Sequence, residues 1–138
     1  MDRLFLDANV LFSAAYRPDS GLTRLRKLPD VQLVTSAYAA EEARVNLWED
    51  TQRRRLQQLL AVVQVLPGLA GGALPAGVDL PEKDRPILLA PREVHATHLL
   101  TGDKEHFGRY FGRHIGGVHI LPPGDYLRAR RRLRKGER

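Results

Sequence analysis

A chain of 138 residues is enough for one domain built on a single hydrophobic core. Its 43% apolar and 28% charged residues match an ordinary globular protein, and no apolar run reaches the roughly 18 residues of a membrane span. Cysteine is absent, which excludes disulfides, thiolate metal sites and cysteine nucleophiles. An acid at position 7 interrupts the first apolar run too early for a secretory signal, so the expected location is the cytoplasm, with no membrane partner. The net charge of +6 is unevenly spread. Residues 128–138 hold seven of the 22 Lys and Arg and one of the 16 Asp and Glu, so they carry the whole excess. We expect a domain over residues 1–127 and a basic tail or helix end over 128–138. Cations there suit a helix C-terminus, and equally a phosphate-bearing or acidic partner.

Arg3 to Leu6 predicts a buried strand that delivers Asp7 to its C-terminal end, with Asn9 two residues on. Val10 to Tyr16 predicts a helix, broken at Pro18-Asp19-Ser20-Gly21, and Leu22 to Leu28 another. Val31 to Thr35 alternates as a strand, with Ser36 placed as a helix N-cap. The spacing of Val45, Trp48, Leu56, Leu59, Leu60 and Val63 predicts one long helix from Ala37 to about Val62, with Trp48 in its packed stripe.

Val62 to Leu66 turns β-like, and residues 67–77 form a Gly- and Pro-rich loop too short for a domain linker. Pro81 to about Val94 predicts a helix kinked or split by Pro86 and Pro91. Thr97 to Thr101 predicts a strand ending at Gly102-Asp103, Lys104 to Phe111 a short helix, and Val118 to Leu121 a last strand before the basic terminal helix. This alternation predicts an α/β/α arrangement, with helices on both faces of a parallel sheet.

Asp7 and Asp103 each follow an apolar strand, the edge at which parallel sheets bind ligands. Either one alone also suits a helix N-cap. Glu41 and Glu42 open a helix at the same edge, and periodicity does not choose between them. Asp84 starts a third helix and by composition reads as a surface acid. Acids without thiolates or a spaced histidine pair suit a hard cation, Mg2+ or Mn2+. Such a cation activates phosphodiester hydrolysis, and without it the acids would repel one another and any polyanion.

Of the histidines, His95 and His98 straddle a helix-to-strand transition and are not expected to share a ligand. His106 stands close enough to Asp103 to touch the site, whereas His114 and His119 have no expected partner. Ser13, Ser20 and Ser36 lack a nucleophile setting, and no Gly-rich phosphate loop follows a strand.

Four segments together resemble the PIN-domain nucleases. They are Leu4-Phe5-Leu6-Asp7-Ala8-Asn9, Thr35-Ser36 with Glu42, Glu82 to Leu88, and Leu99-Leu100-Thr101-Gly102-Asp103 through Phe107. The resemblance implies a Rossmann-like three-layer fold with a central parallel sheet, and a Mg2+- or Mn2+-dependent endoribonuclease. It implies that Asp7, Glu42, Asp84 and Asp103 hold metal and are catalytic, selecting Glu42 over Glu41. Asn9 and Thr101 would orient them.

Lys104, Arg128, Arg130 and Arg131 would offset RNA charge. The family further implies a toxin restrained by an antitoxin protein, and a homodimer. Pro91 departs from the small helix-forming residues usual there. A strand-end Asp with Thr and Lys also fits a receiver- or phosphatase-like domain phosphorylated on aspartate, and a second alternative is a non-catalytic RNA- or protein-binding PIN-like module that keeps the fold without turnover.

Overall fold

The computed structural model describes residues 1–18, 21–134 and 136. Asp19 and Ser20 of the expected break, and residues 135, 137 and 138 of the basic tail, lie outside the described residues. In chain order the elements are β1 Asp2–Leu6, α1 Ala8–Tyr16, α2 Gly21–Arg26, β2 Val31–Ser36, α3 Ala37–Val45, α4 Asp50–Leu60 and β3 Gln64–Leu66. There follow a 3-10 turn at Glu82–Asp84, α5 Arg85–Glu93, β4 His98–Leu100, α6 Lys104–Phe107, a second 3-10 turn at Gly108–Tyr110, β5 His114–Ile115, β6 Val118–Leu121 and α7 Pro123–Arg134.

The sheet runs β3-β2-β1-β4-β6-β5, parallel throughout except for β5, which pairs antiparallel with β6. Leu4, Phe5 and Leu6 are all fully buried, as a central strand demands when helices cover both faces. The result is a three-layer α/β fold. After β1 the chain moves to one side, toward β2, and after β4 it moves to the other, toward β6. The crevice beyond the C-terminal ends of β1 and β4 is therefore the topological switch point, where doubly wound sheets bind ligands. Leu6 pairs with Leu100, which sets Asp7 and Thr101 at one level on that edge.

The expected long helix is two helices. Asn46 ends α3 by turning its side-chain amide onto the Glu42 carbonyl (2.8 Å), and its backbone N–H bonds the Ala43 carbonyl (3.3 Å). This is the local competition with helical hydrogen bonds that makes Asn a poor interior residue. Leu47 then plugs the core and its carbonyl accepts from Arg53 Nε, while Glu49 starts α4. The packed face of α3 is Ala39, Ala40 and Ala43; Val45 and Trp48, expected in the stripe, are 51% and 87% exposed.

The expected split around the prolines occurs at Asp84, where the 3-10 turn gives way to α5 with Pro86 in its first turn. Pro91 is accommodated inside α5. The short β5 was not foreseen, because two residues carry no periodicity. It gives His114 and His119 the partner they were expected to lack: their rings stack with centroids 4.1 Å apart.

α7 crosses the expected boundary between residues 127 and 128 without a break. Tyr126 donates to Asp2 Oδ2 (2.6 Å), and Arg130 is ion-paired with both Asp2 and Asp30. These contacts tie α7 to the start of β1 and the approach to β2.

Candidate active site

Asp7 is positioned as the N-cap of α1 and is 4% exposed. Its Oδ1 accepts from the Ala8 N–H (2.6 Å), while Oδ2 accepts from the Thr101 hydroxyl (2.7 Å) and from Asn9 Nδ2 (3.1 Å). Thr101, fully buried, also accepts from Asn9 Nδ2 (3.2 Å) and from the Asp103 N–H (3.1 Å). Asn9 Oδ1 closes the net by accepting from the Gly102 N–H (2.8 Å). The two strand ends are thus stitched together by the two residues expected to orient the acids.

Asp103 caps α6, accepting from the His106 N–H and from His106 Nδ1, both at 3.1 Å. Asp84 arrives from the far side, at the junction of the 3-10 turn with α5, and is buried. Tyr38 on α3 anchors that turn, its hydroxyl donating to the Lys83 carbonyl (2.6 Å). Glu42, on the next turn of α3, completes the group.

Asp7, Asn9, Phe12, Glu42, Asn46, Lys83, Asp84 and Asp103 line one cavity of about 420 Å3. Glu41 does not line it; its carboxylate is engaged by Arg44 at 2.6 and 2.8 Å. Side-chain direction thus puts Glu42, and not Glu41, on the cavity.

The clustering of like charges in a poorly solvated place shows in the acids' proton affinities. Burial, with smaller contributions from Glu42 and Asp84, raises the Asp7 pKa from 3.8 to about 6, against the lowering effect of the Thr101 and Ala8 hydrogen bonds. Burial also raises Glu42; Lys83 counters it, and Asp84 and Asp103 add to it. Burial pulls the Lys83 ammonium down, yet Asp84, Glu42 and Asp103 together hold it above its ordinary value.

Asp84 Oδ2 is buried and makes no hydrogen bond. His106 Nδ1 stands 2.9 Å away, but its hydrogen bond goes to Asp103. A buried carboxylate oxygen without a donor costs free energy unless a cation takes the place of the missing partner. Ligand atoms of Asp84, Asp103 and His106 lie within 4.8 Å of one another, a spacing that one ion can bridge. This oxygen-rich donor set with a single imidazole fits a hard divalent cation.

The structure does not bring every candidate residue here. Lys104 is exposed beside Asp103 and does not line the cavity; the ammonium that does is Lys83, 3.4 Å from Asp84 Oδ1. Its position next to Asp84 was the only hint in the sequence. Arg128 pairs with Asp125 in its own helix. Arg130 and Arg131 line a separate cleft between α2 and α7, at the end of the sheet where β1 starts. Arg130 thus docks α7 and Arg131 faces a remote surface, because the helix runs back along the sheet away from the acids. His106, three residues after Asp103, is the contact its spacing allowed for.

No family model and no curated protein matches the sequence. Solved structures do match the fold. VapBC-1 from nontypeable Haemophilus influenzae has a TM-score of 0.58 at 16% identity, covering 88% of this chain and 98% of that one. FitAB bound to the IR36 DNA fragment has a TM-score of 0.54 at 18% identity, covering 87% and 94%. The PIN domain of T. brucei RRP44 has a TM-score of 0.60 at 12% identity, covering 98% and 84%. The mostly parallel sheet within a three-layer α/β arrangement, shared in outline with these structures, identifies the fold of this chain as that of the PIN domain among them.

Proposed function

We propose that the chain is a divalent-metal-dependent endoribonuclease acting at the cavity of Asp7, Glu42, Asp84 and Asp103. The observation that carries this reading is the buried Asp84 Oδ2, which makes no hydrogen bond and stands amid three other carboxylates with His106 Nδ1 2.9 Å away. Asp84, Asp103 and Asp7 would hold the ion, with Glu42 at the more open side and His106 steadying Asp103. Bound there, Mg2+ or Mn2+ supplies Lewis acidity toward a phosphodiester and lowers the pKa of an attacking water. The chain's own part is orientation and charge. Thr101 and Asn9 fix the Asp7 carboxylate, and Lys83 offers a cation to the incoming phosphate.

A phosphoryl-acceptor role for Asp7 is disfavoured by the same geometry: its carboxylate is 4% exposed and already accepts three hydrogen bonds, which lowers its nucleophilicity toward phosphorus. A non-catalytic module has little use for four acids gathered around a single lysine ammonium. The likeness in fold to VapBC-1 and FitAB supports the further reading of a toxin restrained by an antitoxin protein. With it we propose a homodimer in the cytoplasm. In this reading residues 1–127 are the nuclease domain, and the exposed Arg131 and Arg132 of the tail remain available to an anionic partner.

RNA cleavage with Mn2+, lost on removal of the ion and on neutralising Asp7 or Asp103, is the direct test. A finer one concerns Thr101→Val, which keeps the shape but deletes the hydrogen bond to Asp7. Mn2+ affinity measured by calorimetry is expected to fall about 10- to 100-fold. Unchanged affinity would remove Thr101 from the site.

A further inference from the structure

Phe12 lines the acid cavity from α1. One helical turn further from it, the Tyr16 ring stacks on Phe12, with centroids 5.4 Å apart and planes 20° from parallel. Tyr16 remains 48% exposed, so much of this stack faces solvent. Asn46 lines the same cavity from the end of α3, and Trp48 follows two residues on, within about 7 Å of chain. Trp48 is 87% exposed and is the only tryptophan in the sequence.

A helical i,i+4 pairing accounts for the contact of Phe12 with Tyr16. It does not account for an indole left in water at the turn beside the cavity, where it contributes nothing to the core. Flat apolar faces beside a place for phosphate suit nucleobases, because every base has a π-face and stacks without sequence preference. Only an unpaired base presents that face; in a duplex it is covered by its neighbours. Because Phe12 belongs both to the cavity and to the stack, a base attached to a phosphate held at the cavity by a bound cation and Lys83 falls within reach of the rings.

We propose that Tyr16 stacked on Phe12, with Trp48 beyond Asn46, forms a base-stacking platform that takes the nucleobases flanking the phosphate at the cavity. This rests on the nuclease reading above. The test uses the full chain in Ca2+, an oxygen-seeking divalent cation that is a poorer Lewis acid than Mg2+ or Mn2+, so that bound RNA stays intact. Trp48 emission is expected to be quenched by a single-stranded RNA octamer and left unchanged by the same octamer annealed to its complement.

By anisotropy of a fluorescein-labelled octamer, Tyr16→Ala and Trp48→Ala are each expected to weaken binding about tenfold, whereas Tyr16→Phe and Trp48→Phe retain it. Circular dichroism checks that each variant folds, as the exposure of both side chains leads us to expect. Alanine variants that bind within about twofold of their parent, or duplex bound as tightly as single strand, overturn the platform. If the unmodified chain still cuts RNA with Mn2+ and Asp103→Asn does not, the nuclease reading survives that loss. If the unmodified chain cuts no RNA, both fall.

Discussion

With Mn2+ present, Asp7→Asn and Asp103→Asn are each expected to lower the rate of RNA cleavage by about a thousandfold or more, and EDTA to abolish it in the parent chain. The size follows from what an ion in the site contributes, several kcal/mol of charge stabilisation, at about 1.4 kcal/mol for each factor of ten. Both substitutions keep volume and leave an amide that still fits the local donors in part, so a loss of this size reports on charge rather than on folding. Glu42→Gln is expected to cost less, because Glu42 is only half-buried and stands at the open side of the cavity. Cleavage equal to the parent in both Asp variants would assign the activity to a contaminating enzyme or to another site.

The same acids are expected to weaken the metal-free fold. Asp7 titrates near 3.8 in an exposed chain and near 6 in the folded one, a difference of about 3 kcal/mol in favour of the protonated form. The sign is therefore the reverse of an ion-paired carboxylate. The stability associated with Asp7 is fully present below pH 3.8 and is lost as pH rises through about 6. In EDTA at pH 7, Asp7→Asn is expected to be more stable than the parent by about 1–3 kcal/mol, less than the full difference because one accepted hydrogen bond is exchanged for a clash of donors. At pH 4 the two chains are expected to unfold together. Mn2+ should then stabilise the parent and leave Asp7→Asn nearly unmoved. Denaturant melts at the two pH values check this; a variant less stable than its parent at pH 7 would mean that the Asp7 charge is already balanced within the protein.

Such a cost is what a site built to receive a cation carries when empty of it, and it explains which parts of the molecule were legible in the sequence. Strands β1, β2, β4 and β6 are apolar runs with acids or caps at their ends, so both the sheet and the positions of Asp7 and Asp103 could be read from the residues alone. Asp84 could not, because an acid between Lys83 and Arg85 looks like a solvated surface residue until the fold turns it inward. Glu41 and Glu42 are adjacent on one helix, and only the Arg44 side chain, which claims Glu41, separates their fates.

The break between α3 and α4 was missed because Val45 and Trp48 keep the apolar spacing of a helix while lying outside the core. Asn46 carried the signal for the break, since its amide can satisfy the carbonyl that the helix leaves behind. The basic run at the C-terminus was legible as charge but not as direction. As far as Arg134 it lies on a helix anchored through Tyr126 and Arg130 to the edge of the sheet opposite the acids.

The central claim is that acids distant in sequence share one cation. Anomalous diffraction from crystals grown with Mn2+ tests it most directly. A peak within coordination distance of Asp84 Oδ2 and an oxygen of Asp103, absent from Asp103→Asn crystals grown alike, is the predicted result. Full occupancy of Mn2+ elsewhere, with the space between Asp7, Asp84 and Asp103 holding water alone, would contradict it.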